Sequence, residues 1–136
     1  QYKYMQNNKD CVLCGGQVSF FKGKSINPVA QPTQHKTMTL DDFKNKPTHW
    51  FMNHPTFCFR KSKIMEVGNY NENIKEMVED FELELRILKK YKIIHNLPDV
   101  LVYYRLSDNQ ITNKLSGKSR QYWANERNNL IRKIIF

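Results

Sequence analysis

The sequence predicts an α/β fold in a single domain spanning residues 1–136. Three observations carry this. First, "EMVEDFELELRILKKYKIIHNLPDVLVYYR" (Glu76–Arg105) passes from helical to strand patterning. Val78, Phe81, Leu85 and Leu88 recur at spacings of 3, 4 and 3, and then "KIIHNL" and "VLVYYRL" follow as strands joined through Pro98 and Asp99. Second, "CVLCGG" is a short apolar run bounded by glycines, the mark of a buried strand, and "QVSFFKGK" continues it as a second strand or extended segment. Third, "RQYWANERNNLIRKIIF" (120–136) reads as a C-terminal helix with Trp123, Leu130 and Ile134 on its apolar side.

The remaining elements follow from local signals. "QYKYMQNNKD" reads as the end of a helix closed by polar residues. Residues 25–36, "SINPVAQPTQHK", hold two prolines and small polar residues and read as a loop. "TLDDFKNK" has Thr39 as N-cap, acids in the first turn and Pro47 after the end, a helix signature. "HWFMNHPTFCFRKS" is aromatic and extended, with Phe57, Phe59 and Lys61 alternating against Cys58 and Arg60 as in a strand. "KIMEVGNYNENI" is a short helical turn that breaks at Gly68, and "SDNQITNKLSGKS" is a loop. Glu82 and Arg86 are placed as an i, i+4 pair on the outer face of their helix.

Composition narrows the function classes. The chain has 136 residues and ordinary apolar content, enough for one domain with a real core rather than a disordered segment. Its net charge of +9 suits anionic partners, but the excess is lysine spread along the chain, as a general bias would give. The cysteine count of 3 is odd, which excludes a closed disulfide framework and fits a reducing compartment. No apolar run reaches the ~20 residues of a membrane span. The start, without an initiator Met or a signal-peptide core, reads as the middle of a longer protein.

The motifs with chemical content are few. Cys11-x-x-Cys14 lacks a second ligand pair and lies in an apolar run, so it reads as buried strand cysteines rather than a zinc or redox site. There is no Gly-rich phosphate loop and no Asp-x-Asp, so no nucleotide or divalent-metal cradle is recognisable. Glu79 and Asp80 open the helix that begins the longest pattern. Two acids there complement the positive end of the helix dipole. The same dipole keeps an aspartate ionised, as a general base must be.

The order of the pieces resembles the second half of family 2 glycosyltransferases with a GT-A fold. The residues that carry the resemblance are His54-Pro55, Arg60-Lys61-Ser62, Gly68-x-Tyr70, Glu79-Asp80-Phe81 with Leu83 and Arg86, then Asn96, Pro98, Val100 to Val102, Tyr104 and Arg105. It covers about residues 50–112 well and extends loosely back to Gln1. The resemblance implies a partial GT-A-like mixed sheet flanked by helices, lacking the N-terminal nucleotide-binding βαβ half. It implies transfer of a sugar, with inversion, from a nucleotide-sugar donor to an acceptor hydroxyl on a glycan, lipid or protein. Asp80 then matches the catalytic base, with Glu79 in support. His54, Arg60, Arg86 and Arg105 are the implied substrate-binding residues, His54 and Arg60 in the strand beneath the acceptor cleft. Trp50, Phe51, Phe57 and Phe59 offer either a sugar-stacking platform or core packing, the latter being the expectation for most of them.

The family's Mn²⁺ or Mg²⁺ is implied as cofactor, with ligands outside this chain, because its Asp-x-Asp precedes the matched region. Ser107 stands where the family often has a histidine after Tyr-Arg-x. The implied partners are donor, acceptor, the missing half of the domain and a second copy of the chain. The implied location is cytoplasmic, including the cytoplasmic face of a membrane. Two alternatives stand beside this reading: a basic module binding nucleic acid or another anionic polymer, and a catalytically inactive structural fragment.

Overall fold

The computed structural model describes residues 1–74, 78–108, 110 and 120–136. In chain order the elements are α1 (Tyr2–Asn7), β1 (Leu13–Lys22), β2 (Met38–Thr39), α2 (Leu40–Asn45), β3 (Cys58–Phe59), α3 (Lys61–Glu66), α4 (Glu79–Tyr91), β4 (Ile93–Leu106) and α5 (Arg120–Ile134), with a 3-10 turn at His54–Thr56. The result is the predicted α/β architecture: a mixed, 4-stranded sheet in the order β2-β4-β1-β3, flanked by helices. β1 and β4 run parallel at its centre, and the two-residue strands β2 and β3 pair antiparallel outside them.

Two segments expected to break run straight through. Leu13–Lys22 is one strand, and so is Ile93–Leu106 across Pro98. The reason is a bulged register. Between the pairs Gly15↔Asn96 and Gln17↔Val100, β4 advances four residues while β1 advances two. The extra residues hold Pro98, whose missing N–H would have left a gap in a regular ladder. The buried Gln17 side chain repairs what the bulge leaves open: its Nε2 donates to the carbonyls of Leu97 (2.7 Å) and His35 (2.8 Å).

The aromatic segment 49–62 is less extended than its composition suggests. Only Cys58–Phe59 pairs as strand; Pro55 opens a 3-10 turn before it, and Lys61 already begins α3. That helix ends as expected. Gly68 sits at φ 88°, in left-handed space where a side chain is strained, and Asn69 N–H returns to the Ile64 carbonyl at 3.0 Å. α2 starts with the Thr39 capping box: Thr39 Oγ1 accepts from Asp42 N–H at 3.1 Å, and the Asp42 side chain reaches back to Thr39.

α4 is the central helix. Residues 81–85 are all buried, as are Ile87 and Leu88, because α4 lies between β4 on one side and α5 on the other. A helix covered on both sides has little solvated face left. That overturns the placing of Glu82 and Arg86 on an outer face: the Glu82 side chain is 7% exposed and that of Arg86 21%. They do pair, with Arg86 Nε 2.9 Å from each Glu82 oxygen. On α5 and just past its end, Ile131 and Ile135 are buried in the main core, with Leu130 and Ile134 packed at its edge. Trp123, expected on the apolar side, is half-buried and meets Tyr122 edge to face. Phe51 is core, whereas Trp50 is 55% exposed. The expected loop after β4 lies mostly outside the described residues.

Candidate active site around Asp80

The site begins with two glycines. A Cβ on Gly15 would stand 2.6 Å from Met52 Cε and 2.7 Å from Thr56 Oγ1, and one on Gly16 would stand 2.5 Å from Leu101 Cδ1. A bare Gly16 lets β4 lie this close on one face, and a bare Gly15 lets the chain at 52–56 do so on the other. There, Asn53 Nδ2 donates to the Gly16 carbonyl at 2.8 Å, Gly16 N–H donates to Thr56 Oγ1 at 3.0 Å, and Thr56 Oγ1 donates to the Asn53 carbonyl at 2.7 Å. Asn53 and Thr56 are buried, and His54 and Pro55 between them are exposed. Buried, fully bonded polar groups hold their segment firmly, so the turn presents His54 from a fixed base.

Asp80 meets His54 from the first turn of α4. Its side chain is 33% exposed, and Oδ2 lies 4.0 Å from His54 Nδ1. The other oxygen, Oδ1, accepts from the Phe81 N–H at 2.6 Å. The carboxylate is therefore neither sealed in nor wholly spent on its own helix. His54 Nε2 is 2.9 Å from the Tyr70 hydroxyl, so a chain runs Asp80–His54–Tyr70. Burial raises the Tyr70 phenol above its ordinary pKa, and the charges of Asp80, Glu79 and Glu84 raise it further. Tyr70 thus remains a protonated hydroxyl, able to donate to the imidazole or to a bound group.

Glu84 lies one turn along the same helix and is buried. Burial pushes its carboxyl well above the ordinary range, Asp80 adds to this, and Arg127 opposes it. Arg127 comes from α5, with its guanidinium 5.8 Å from the Phe81 ring centre and its Nε buried without a hydrogen-bond partner. Beside the Asp80 group, an open pocket of about 380 Å³ is lined by Gly68, Tyr70, Asn71, Glu72, Asn73, Glu82 and Arg86; Tyr70 belongs to both.

The sequence-predicted site residues divide in two. Glu79, Asp80 and His54 come together at the start of α4. The three arginines are each held by backbone carbonyls, Arg60 and Arg105 away from Asp80 and Arg86 in the wall of the neighbouring pocket. Arg60 Nε donates to Cys11 (3.0 Å) and its Nη2 to Met5 (2.7 Å), closing the end of α1. Arg86 donates to Glu82, Asn69 (2.6 Å) and Val67. Arg105 donates to Gly23 (3.0 Å) and stacks over Phe21. Tyr70, Glu84 and Arg127 were not singled out as site residues from sequence. Tyr70 was visible only as part of Gly68-x-Tyr70. Glu84 carried no signal, since a fourth acid in an acidic helix looks solvated. Among the described residues no group of three or more His, Cys, Asp or Glu stands in a metal-holding arrangement. No helix among them is long and apolar enough to cross a membrane.

With this geometry in hand, two curated proteins prove similar to the chain. One is an "Uncharacterized glycosyltransferase" of Haemophilus influenzae, 25% identical over 114 residues, covering 84% of this chain and 41% of that protein. The other is the "Amylovoran biosynthesis glycosyltransferase AmsE" of Erwinia amylovora, 30% identical over 119 residues, covering 86% of this chain and 42% of that protein. No family model matches, and no solved structure matches. The chain is thus related to glycosyltransferases, and it spans about two fifths of the length of these relatives.

Proposed function

We propose that this chain is the acceptor-side, base-bearing part of an inverting, family 2-like glycosyltransferase of GT-A architecture. The observation that carries the proposal is the Asp80 carboxylate: at the first turn of a helix, one-third exposed, with one oxygen on a backbone amide and the other facing His54. An acceptor hydroxyl is a poor nucleophile until a base takes its proton. In this reading Asp80 Oδ2 accepts that proton as the oxygen attacks the anomeric carbon of a nucleotide-sugar, and the nucleoside diphosphate leaves from the opposite face.

Each neighbour has a task in that step. The amide of Phe81 holds Asp80 Oδ1 at the positive end of α4, which leaves Oδ2 for the acceptor proton. Glu79 lies beside it in the same turn, and His54, steadied by Tyr70, orients the carboxylate from the other side. The donor's nucleotide and diphosphate fall to protein outside this chain. A divalent ion, which balances the diphosphate's charge in such enzymes, does not fit the residues present: the described acids and histidines form no cradle for it. The two related proteins support glycosyl transfer in general; inversion, donor and acceptor are part of the proposal.

The test uses the longest form of the protein its gene encodes. UDP-, GDP- and dTDP-sugars are screened for acceptor-dependent release of nucleoside diphosphate, and the product anomer is read by NMR. Asp80→Asn is expected to lower turnover by roughly 10²–10⁴-fold, the usual worth of a positioned base, with donor binding unchanged. Turnover near wild type in Asp80→Asn removes Asp80 from the role, and a product with retained anomeric configuration removes the mechanism.

A further inference from the structure

A second, smaller apolar cluster lies away from Asp80, at the corner where α1, β1 and β3 meet. It joins Met5, Cys11 and Cys14, with Tyr4 and Cys58 packed against it. All 3 cysteines of the chain are therefore in one place, and all are free thiols. They do not form a metal-holding arrangement. The relation between two of them is more specific. β1 and β3 are antiparallel, and Cys14 stands directly opposite Cys58.

The ladder fixes which kind of pair this is. Two residues along, Arg60 N–H donates to the Val12 carbonyl at 2.9 Å. Hydrogen-bonded pairs recur at every second residue, so Cys14 and Cys58 also hold hydrogen-bonded positions, with Cα atoms about 5.5 Å apart. Disulfides span Cα separations of about 4.4–6.8 Å, so the Cα spacing fits, and closure has to draw the Cβ atoms in from the ~5.5 Å of a hydrogen-bonded pair to about 4 Å. Cys11 is the other neighbour of Cys14 and shares a side-chain hydrogen bond with it, while its thiol also reaches the Leu13 carbonyl at 3.6 Å, so a Cys11–Cys14 link is the rival outcome that the experiment must separate. Cys58 is half-buried on an edge strand and gives an outside reagent access, whereas Cys14 is fully buried behind it.

We infer that Cys14 and Cys58 form an oxidisable pair that closes to a disulfide on exchange with a small-molecule disulfide such as oxidised glutathione. In the first step the Cys58 thiolate attacks one glutathione sulfur and expels the other as a thiolate. In the second, the Cys14 thiolate attacks Cys58 Sγ and expels the remaining glutathione. Two protein thiols lose two protons and two electrons, and one glutathione disulfide becomes two glutathione thiols. Burial raises the Cys58 thiol, and a hydrogen bond that Cys14 donates to Cys11, with burial, raises Cys14, so both steps speed up as pH rises. The cross-link ties β3 to β1 just after the turn that carries His54, and it is independent of whether transfer occurs.

The experiment incubates the full chain with oxidised glutathione at about pH 8.5, near the ordinary thiol pKa, alkylates what remains, and maps peptides without reduction. The expected result is a fall from 3 free thiols to one, a Cys14–Cys58 peptide, and alkylation at Cys11 alone. Cys58→Ser should abolish the intramolecular link, and Cys11→Ser should leave it. A Cys11–Cys14 link, a glutathione adduct persisting on Cys58, or full retention of free thiols would each overturn the inference. The wild-type map decides this even if a serine variant fails to fold.

Discussion

Arg86→Met keeps most of an aliphatic stem and removes only the guanidinium. In the folded chain that guanidinium bonds both oxygens of Glu82 at 2.9 Å, Glu82 Oε2 again from Nη2 at 2.6 Å, Asn69 O at 2.6 Å, and Val67 O. Glu82, 7% exposed, is left as a buried charge without its cation, and two carbonyls at the end of α3 lose their donor. Breaking one side of a buried pair costs about 3–5 kcal/mol, and Arg86 is partly solvated, which favours the lower end, about 3 kcal/mol. With a urea dependence of about 2 kcal/mol per molar, the unfolding midpoint should fall by ~1.5 M. The double variant Glu82→Leu/Arg86→Met, which leaves no charge behind, should recover at least ~1 kcal/mol of that loss. A midpoint shift under ~0.5 M for Arg86→Met, or a double variant that simply adds the two single losses, refutes the argument that Arg86 acts by neutralising Glu82 and gathering the α3–α4 turn.

Two other predictions test the packing that positions the site. Gly16→Ala drives a methyl to within 2.5 Å of Leu101 Cδ1 and 3.0 Å of the Asp99 carbonyl, so overpacking should cost about 1–3 kcal/mol in chemical denaturation; unchanged stability would mean the bulged part of β4 does not need a bare residue beneath it. Glu84 has a folded pKa raised by burial, so the folded state binds a proton more tightly there than the unfolded chain, and stability should fall as pH climbs from about 4.5 towards that raised value. Glu84→Gln should flatten this part of the denaturation profile and be relatively more stable at pH 7.5 than wild type; a variant with the wild-type slope places the titration elsewhere.

The sequence made some elements plain because their signals are local. Thr39, followed by two acids and later Pro47, needs nothing beyond its own neighbours to start and stop α2. Gly68 ends α3 for an equally local reason. The acids at the head of α4 were readable, and so was the apolar face through Val78, Phe81, Leu85 and Leu88. What stayed hidden depends on partners far away in the chain. Pro98 reads as a break until Gln17, some eighty residues earlier, takes up the carbonyl its bulge exposes. Glu82 and Glu84 look solvated until α5 covers α4. Arginines in an apparent substrate motif look available, yet Arg60, Arg86 and Arg105 find main-chain carbonyls first. His54 reaches Asp80 from a turn that a bare Gly15 in β1 admits.

The stretch between β1 and β2 has a consequence for solubility. Beyond Cys14 the outer margin of β1 has no strand beside it, and a bare margin of amides and carbonyls invites a neighbouring molecule to continue the sheet. Here the chain returns along that margin: Val29 N–H reaches the Phe20 carbonyl at 2.9 Å, Thr33 N–H reaches the Val18 carbonyl at 3.1 Å, and Thr33 Oγ1 takes the Val18 N–H at 2.8 Å. Pro28 and Pro32, which have no N–H, flank these contacts and offer no donor to a further strand. The segment therefore acts as a selvedge, finishing the fabric so that it does not knit itself to the next copy.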